Sequence, residues 1–289
     1  MISSRGQLHL ALALMVVIWG ANYTIAKVAL TELPPLTLAA ARVTLATVFL
    51  FTVLGTHGGL RIRRNALPRM AFLGLTGVAL NQSLFVRGLD RTVPSHSSLV
   101  VALGPIFVLI LASLFLDEPI GFKKVAGILL SFAGVMALSL HADFTLDRSH
   151  LEGDLTTAGA VLSFAIYTIA GKRAVIEFGA LKTTAYSHLF GALLLVPAAS
   201  LASPGPPVSL SLRGVLALLY MAIFASALAY LIFYRGLRDL GAARISALSY
   251  FQPLLAIAIS VGAAQEALAA RILYGGALVL AGVIVAERG

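Results

Sequence analysis

The stretch FVRGLDRTVPSHSSLVVALGPIFVLILASLFLDEPIGFKKVAGILLSFAGVMA, residues 85–137, has a second copy later in the same chain. A shift of 148 residues aligns the two copies without a gap. The matches are Arg87-Gly88-Leu89 with Arg235-Gly236-Leu237, Pro105 with Pro253, Glu118 with Glu266, Gly127 with Gly275, and Ala133-Gly134-Val135 with Ala281-Gly282-Val283. Similarity at one fixed offset indicates an internal duplication. We therefore expect two structurally related halves.

The composition is that of a membrane protein. Hydrophobic residues make up 59% of the 289 residues and charged residues only 11%, whereas a soluble domain carries about 25% charged residues. The apolar residues form long continuous runs, and a bilayer-spanning helix needs about 20 of them. Strands of a transmembrane barrel would alternate polar and apolar residues instead. The sequence therefore predicts an all-α polytopic membrane protein.

Apolar runs separated by charge, Pro or Gly predict ten spans. They lie at about residues 8–30, 35–55, 68–87, 92–114, 120–140, 154–173, 183–202, 213–235, 241–263 and 268–286. The first run resembles the core of a signal peptide, but it continues to Leu30 without a cleavage pattern of small residues. We therefore keep it as the first span.

The charge of the loops predicts the orientation, since loops rich in Lys and Arg stay on the cytoplasmic side. With the N-terminus inside, most of the basic residues behind the formal net charge of +9 fall in cytoplasmic loops. The longest loop on the opposite side, at 141–153, is acidic. Both termini are therefore expected in the cytoplasm. Topology explains the basic charge, so nucleic acid is not expected as a partner.

The order of the spans gives the duplication a geometry. The two copies begin five spans apart, and an odd number of crossings turns the second copy upside down in the membrane. We expect two inverted five-helix repeats, residues 1–140 and 154–289, joined by a non-cytoplasmic loop at 141–153. The earlier part of each repeat matches more weakly, with Trp19 on Phe164 and Arg42 near His188.

Several motifs occur together in the first half. They are Trp19-Gly20 with Asn22 and Lys27, Pro34-Pro35 with Ala41-Arg42 and Ala46, Arg87-Gly88-Leu89, Pro105, and Asp117-Glu118 followed by Gly127 and Ala133-Gly134-Val135. With these motifs the chain resembles the EamA-type transporters of the drug/metabolite transporter superfamily. In size and layout it is similar to bacterial amino-acid exporters of the YddG type. Phe164 and His188 depart from the Trp and Arg of the first half.

The resemblance implies ten helices around a central cavity lined by spans 1, 3, 4, 6, 8 and 9, with spans 5 and 10 as packing helices. It also implies a secondary transporter that exports small metabolites, amino acids first among them, across the bacterial inner membrane. Inverted repeats that rock about a central site provide alternating access. The expected partners are a small-molecule substrate and the lipid bilayer, with the chain a monomer or a weak homo-oligomer.

Polar and aromatic side chains on the implied cavity spans are the candidate substrate-binding residues, because polar groups at membrane depth need a partner or water. They are Asn22, Tyr23, Asn81, Gln82, Ser98, Tyr167, Tyr230, Tyr250 and Gln252. An amphipathic, aromatic lining suits a small zwitterion with an apolar side chain. Each residue taken singly is also explained by a hydrogen bond between helices.

Three residues are candidates for a gate or hinge: Trp19, Pro105 and Pro253. A proline inside a span removes a backbone hydrogen bond and kinks its helix. A static kink that only improves packing has the same sequence signature. For the single tryptophan, core packing against Gly20 is slightly favoured over a cavity wall or gate.

The remaining charged residues favour structural roles. For Arg42, inside span 2, an ion pair or a clamp on carbonyl groups is favoured over a substrate carboxylate. Glu118 and Glu266 fit helix N-termini, and no carboxylate falls at mid-membrane. The chain has no cysteine, which excludes thiolate chemistry and cysteine metal sites. We expect no metal and no cofactor.

Two other functions stay open. One is an exporter of other metabolites or of drugs. The other, from a different class, is a non-transporting receptor or scaffold, for which an inverted duplication has little purpose. An enzyme is not expected, since the spans lack cysteine, a mid-span Asp and a Gly-x-Ser-x-Gly motif.

Overall fold

The structure, a computed structural model, describes residues 4–56, 59–92, 94–116, 121–139, 148–202, 209–252, 255 and 270–287. Within these ranges every regular element is a helix, which confirms the predicted all-α class. Pro253, Asp117-Glu118, Glu266 and most of the predicted joining loop lie outside the described residues.

We number the helices by the spans that they match. Two are single segments, α1 (Ser4–Leu30) and α2 (Pro35–Thr56). Helix α3 runs through Leu67–Leu73, Gly74–Leu80 and Asn81–Arg91, and α4 through Pro94–Val101 and Gly104–Phe115. Helix α5 is Phe122–Ser139, and α6 and α7 are the arms 148–178 and 180–202 of Arg148–Ala202. Helix α8 runs through Leu212–Leu219, Tyr220–Leu228 and Ala229–Leu240, α9 begins with Ala242–Ala247 and Leu248–Tyr250, and α10 is Ala270–Glu287.

The described helices suit a bilayer. Four are long and apolar enough to cross one: Gly6–Leu30, Pro35–Thr56, Leu151–Ala202 and Leu212–Leu240. The third has 52 residues, enough for two crossings at about 20 residues each. Large apolar side chains in the middle of helices face outward, among them Val48 at 61% and Leu193 at 59% exposure. Such a surface is matched by lipid and not by water.

Helices α6 and α7 meet at a single residue, where the sequence predicted a loop between residues 173 and 183. Gly179 has φ 78° and ψ 164°, a conformation that glycine adopts without the steric cost of a side chain. The helix is broken by a kink at this one residue, so residues 174–178 extend α6 and residues 180–182 begin α7. The predicted loop is therefore wrong, although both helices are where the spans were placed.

Helix α4 is interrupted, whereas the sequence predicted one continuous kinked span. Ala102 and Leu103 form a turn, and Pro105 stands in the first turn of the segment Gly104–Phe115. The proline nitrogen cannot donate to the carbonyl of Val101, which explains why the helix breaks at this point. Pro105 therefore begins the second segment instead of bending a continuous helix.

Helices α5 and α10 pack with their backbones close together. A Cβ on Gly127 would lie 2.5 Å from the carbonyl oxygen of Gly282, and one on Gly134 would lie 2.8 Å from that of Gly275. Between them, Ser131 Oγ donates to the carbonyl oxygen of Val279 at 3.2 Å, and these two residues are 148 apart. A shift of 148 residues relates Gly127 to Gly275 and Gly134 to Gly282, so it turns one of these glycine contacts into the other. It also relates Ser131 to Val279, the residue to which Ser131 donates. Such reciprocity is the pattern of a two-fold interface.

Glu32, in the turn between α1 and α2, ties that turn to the start of α8. Its carboxylate accepts hydrogen bonds from Ser211 Oγ at 2.6 Å and from the Ser211 backbone N–H at 2.7 Å. Ser211 caps α8, since its hydroxyl accepts from the Gly214 N–H at 3.2 Å. These hydrogen bonds lower the pKa of Glu32. With a lowered folded-state pKa, the link contributes at neutral pH and is lost as pH falls through that value.

The α5–α10 contact predicts the result of one substitution. Gly134→Ala places a methyl group 2.7 Å from the Val279 backbone nitrogen, so the helices must separate, at a cost of about 1–3 kcal/mol. We expect a lower melting temperature of the purified protein in detergent. The control is Gly55→Ala, where a Cβ meets nothing within 4 Å. Equal melting temperatures of the two variants would contradict this packing.

Candidate functional site

A cavity lies among the helices, with about 820 Å³ of empty space when its open mouth is included. The lining residues come from α1, α2, α3, α4, α6, α8 and α9. These are the six helices that the resemblance implied, together with α2, which contributes Arg42.

One side of the cavity is an aromatic cluster, made by Trp19 of α1, Phe164 of α6, and Tyr230 and Phe233 of α8. The Trp19 ring meets Phe164 and Tyr230 edge to face at 5.9 and 5.8 Å between centroids. Phe164 and Phe233 lie 5.0 Å apart. Such aromatic pairs add to the energy of burial, so this cluster is a stable apolar wall.

Tyr230 joins the aromatic cluster to a polar network. Its hydroxyl oxygen accepts a hydrogen bond from Gln82 Nε2 at 2.6 Å. The same hydroxyl lies 3.1 Å from the Gly77 carbonyl oxygen and 3.2 Å from Asn81 Oδ1, both of which can accept its proton. Gln82 and Tyr230 are 148 residues apart, so positions that correspond in the two copies meet in the cavity.

Further polar side chains line the cavity beside this network. Tyr23 donates to Gln252 Oε1 at 3.1 Å, which joins α1 to α9. Asn81 Nδ2 donates to the Ala160 carbonyl oxygen at 2.9 Å. Asn22 is 6% exposed, and its Oδ1 is buried without a hydrogen-bond partner among the described residues. The lining therefore combines paired amides and hydroxyls with one free acceptor.

Arg42 is the charged residue of the lining. It is 2% exposed, and its Nε donates to Ser226 Oγ at 3.0 Å. Its Nη1 is buried and has no hydrogen-bond partner in the described ranges. The lining that the described residues form contains no Asp or Glu. The ion pair that the sequence favoured for Arg42 is not formed with any described residue.

Two π-helical segments supply carbonyl groups near the cavity. They are Gly74–Leu80 in α3 and Tyr220–Leu228 in α8, and the 148 shift places the first within the second. The wider turn of a π-helix disturbs the regular backbone ladder, and such segments are frequent at functional sites. The Gly77 oxygen faces the Tyr230 hydroxyl, and the corresponding Ala225 oxygen accepts from Trp19 Nε1 at 3.1 Å.

A sequence model of the EamA-like transporter family matches residues 7–140 and, a second time, residues 151–287. The chain belongs to this family. That result confirms the family to which the sequence motifs pointed. The two matches divide the chain close to the predicted boundary between the halves.

Relatives of this EamA chain carry transporter names. An "uncharacterized transporter", YyaM, of Bacillus subtilis is 30% identical over 93% of this chain and 89% of its own length. A "probable terminal-alkyne amino-acid exporter" of Streptantibioticus cattleyicolor is 27% identical over 96% and 92%. The "uncharacterized inner membrane transporter" YedA of Escherichia coli is 27% identical over 89% and 83%. A crystal structure with 20% identity has the same fold, with a TM-score of 0.80 over 98% of this chain and 97% of its own.

The cavity brings together most of the residues that the sequence singled out. Those that line it are Trp19, Asn22, Tyr23, Asn81, Gln82, Tyr230 and Gln252. Ser98, Tyr167, Tyr250 and Pro105 are buried, but they are not among its lining residues. Pro253 lies outside the described residues. Tyr167 supports the wall from behind, with its ring 5.6 Å from Phe164 and 5.9 Å from Tyr230.

Sequence reasoning missed part of the lining of this EamA cavity. Phe164 and Phe233 were not candidates because aromatic residues inside spans are common, yet Phe164 aligns with Trp19 and Phe233 with Phe85, which also lines the cavity. The internal alignment could therefore have found them. Arg42 was assigned to structure because span 2 is not a cavity span in the resemblance.

The network predicts that the Tyr230 hydroxyl matters for stability. Tyr230→Phe leaves Gln82 Nε2 without its acceptor in a buried site, which costs about 1–3 kcal/mol. We expect a lower melting temperature with unchanged helix content by circular dichroism. Tyr274→Phe is the matched control, because Tyr274 is 71% exposed and its loss should change stability by less than about 0.5 kcal/mol. Equal melting temperatures of the two variants would contradict a stabilising role for the Tyr230 hydroxyl.

Proposed function

We propose that the protein is a secondary transporter that exports small metabolites, with amino acids the best-supported substrates, across the bacterial inner membrane. The observation that carries the proposal is the cavity, because an EamA chain places polar and aromatic side chains from both halves around one central space. Amides, tyrosines and one guanidinium recognise polar groups, while the aromatic cluster accepts an apolar side chain. The relative from Streptantibioticus cattleyicolor, named a probable amino-acid exporter, supports this substrate class.

Alternating access by two inverted repeats, residues 1–140 and 154–289, is the mechanism that we propose. The reciprocal α5–α10 glycine contacts and the Gln82–Tyr230 contact support a two-fold relation between the repeats. Leu12, Met70, Ala112 and Ile245 belong to one buried apolar cluster with Tyr230 and Phe233. Rocking of the repeats would open the helix packing on one side of the cavity and close it on the other. The cavity would then face each side of the membrane in turn.

The proposed setting follows the loop charges and the relatives. Both termini lie in the cytoplasm, and the segment 141–153, whose residues 148–153 begin α6, lies on the opposite side. The E. coli relative named an inner membrane transporter supports this location. We propose a monomer or a weak homo-oligomer that acts without a cofactor and catalyses no covalent reaction.

Export of other metabolites or of drugs is the second candidate. The aromatic cluster of Trp19, Phe164, Tyr230 and Phe233 favours it, because aromatic rings bind many planar or hydrophobic compounds with low selectivity. A receptor or scaffold would have no use for a central cavity that both halves line. The same experiment separates the candidates.

Transport is measured with the full chain reconstituted in liposomes that are loaded with a radiolabelled amino acid. We expect efflux above that of protein-free vesicles for at least one neutral apolar or aromatic amino acid. Gly104→Leu should abolish efflux, because Gly104 lines the cavity and a Cβ there meets only Val161, at 3.5 Å, which leaves room for a side chain that fills the space. Gly55→Leu, on an open surface, should transport normally.

The outcome divides the candidates clearly. Efflux of drugs or other metabolites without efflux of any amino acid would favour the second candidate. Absence of transport for every solute in a protein with a normal melting temperature would contradict the transporter proposal. Equal efflux by Gly104→Leu and the unmodified protein would mean that solutes do not pass through this cavity.

A further inference from the structure

We propose that Arg42 anchors a carboxylate of the transported molecule, so that the substrate is a small carboxylate with an apolar body, specifically an α-amino acid. The inference rests on the proposed function and adds the group that recognises the substrate. It also replaces the structural role that the sequence favoured for Arg42.

The first argument is the unused hydrogen-bonding capacity of Arg42. A guanidinium carries five N–H donors and keeps its charge at any physiological pH. Arg42 is 2% exposed, yet its hydrogen bond within the described residues is the one from Nε to the neutral hydroxyl of Ser226. Nη1 is buried without a partner among them. A buried cation left in this state is costly unless an anion arrives.

The second argument is where the described carboxylates lie. They are Glu32, Asp90, Glu152, Asp154, Glu177, Asp239 and Glu287, all near helix ends or in connections. Glu177 is paired with Arg63 and Arg69, Glu152 with Arg91, and Glu32 binds Ser211. The described protein therefore supplies no counter-ion to the cavity. A substrate carboxylate would supply it, and the guanidinium fork matches a carboxylate with two parallel hydrogen bonds.

The third argument is what else faces the same cavity. Asn22 Oδ1 is a buried acceptor without a donor among the described residues, which suits the ammonium group of an amino acid. The rings of Trp19, Phe164 and Phe233 offer the apolar contact that a side chain needs. The described lining carries one fixed positive charge and no negative charge, which repels simple organic cations. The three features together fit a zwitterion with an apolar side chain.

Trp19 makes the proposal measurable without transport. It is the only tryptophan of the chain and lines the cavity, so its fluorescence reports binding beside it. The purified full chain is titrated with L-leucine, 4-methylpentanoate, isoamylamine and inorganic phosphate. These probes carry, respectively, both charged groups, the carboxylate alone, the amine alone, and an anion without an apolar body.

We expect saturable fluorescence changes with L-leucine and, more weakly, with 4-methylpentanoate, and none with isoamylamine or phosphate over the same range. Arg42→Gln should weaken L-leucine binding by about tenfold to a hundredfold, as loss of a charged hydrogen bond does. The affinity of Arg42→Lys for L-leucine should lie between those of the unmodified protein and of Arg42→Gln. An ammonium keeps the charge but cannot form the two parallel hydrogen bonds of a guanidinium. Arg213→Gln, which removes an exposed arginine, is the matched control and should bind normally.

Several results would overturn the anchor. Isoamylamine binding as tightly as L-leucine, unchanged L-leucine binding by Arg42→Gln, a response to phosphate alone, or no response to either carboxylate would each do so. The results with isoamylamine, with phosphate and with the two carboxylates are measured on the unmodified protein. The proposal can therefore be tested even if a variant folds poorly. Leucine binding that depends on Arg42, without transport in liposomes, would contradict the proposed function but not the role of Arg42 as an anchor. Amino-acid efflux that Arg42→Gln leaves unchanged would contradict the anchor and leave the proposed function.

Discussion

The hydrogen-bonding demand of polar groups in an apolar interior governs this structure. In hydrocarbon each unpaired polar group costs several kcal/mol, and the described helices meet that cost by pairing side chains across the two halves. Tyr23 reaches Gln252, Gln82 reaches Tyr230, and Trp19 reaches the Ala225 carbonyl. Each of these bonds crosses between residues of the first half and residues of the second. The polar groups therefore hold the halves in register around the cavity instead of stabilising each half alone.

Several buried polar atoms have no hydrogen-bond partner among the described residues, and two of them belong to residues that line the cavity. Arg42 Nη1 and Asn22 Oδ1 are a donor and an acceptor, and both residues line the cavity. Tyr230, by contrast, is fully engaged with its neighbours. A cavity lined by residues with an unused donor and an unused acceptor is arranged for a ligand with complementary charges.

Much of the fold could be predicted because hydrophobic runs and the fixed 148-residue offset record it directly. The offset also explains the repeated glycines: Gly88 lies against the backbone of α6, and Gly236 lies against Ile245 and Leu12. These repeated glycines serve packing. The cavity is lined both by a repeated pair, Phe85 and Phe233, and by Gly104 and Gln252, which correspond but differ. The loop expected near Gly179 was wrong because a single glycine with positive φ connects the two helices. The continuous span through Pro105 was wrong because proline has no N–H to donate to the preceding turn. Arg42 was misjudged because the partner of a charged residue depends on tertiary contacts that spacing does not contain.

The most direct measurement uses the absence of cysteine from the chain. A single Ser249→Cys substitution places a thiol on the cavity lining with little change in shape. Vesicles of both orientations are then treated with a membrane-impermeant thiol reagent, with and without the transported amino acid. If the cavity alternates between the two sides, Cys at this position will react from either face, and the amino acid will slow both reactions. Reaction from one face only, unaffected by the amino acid, would contradict a central substrate site with alternating access.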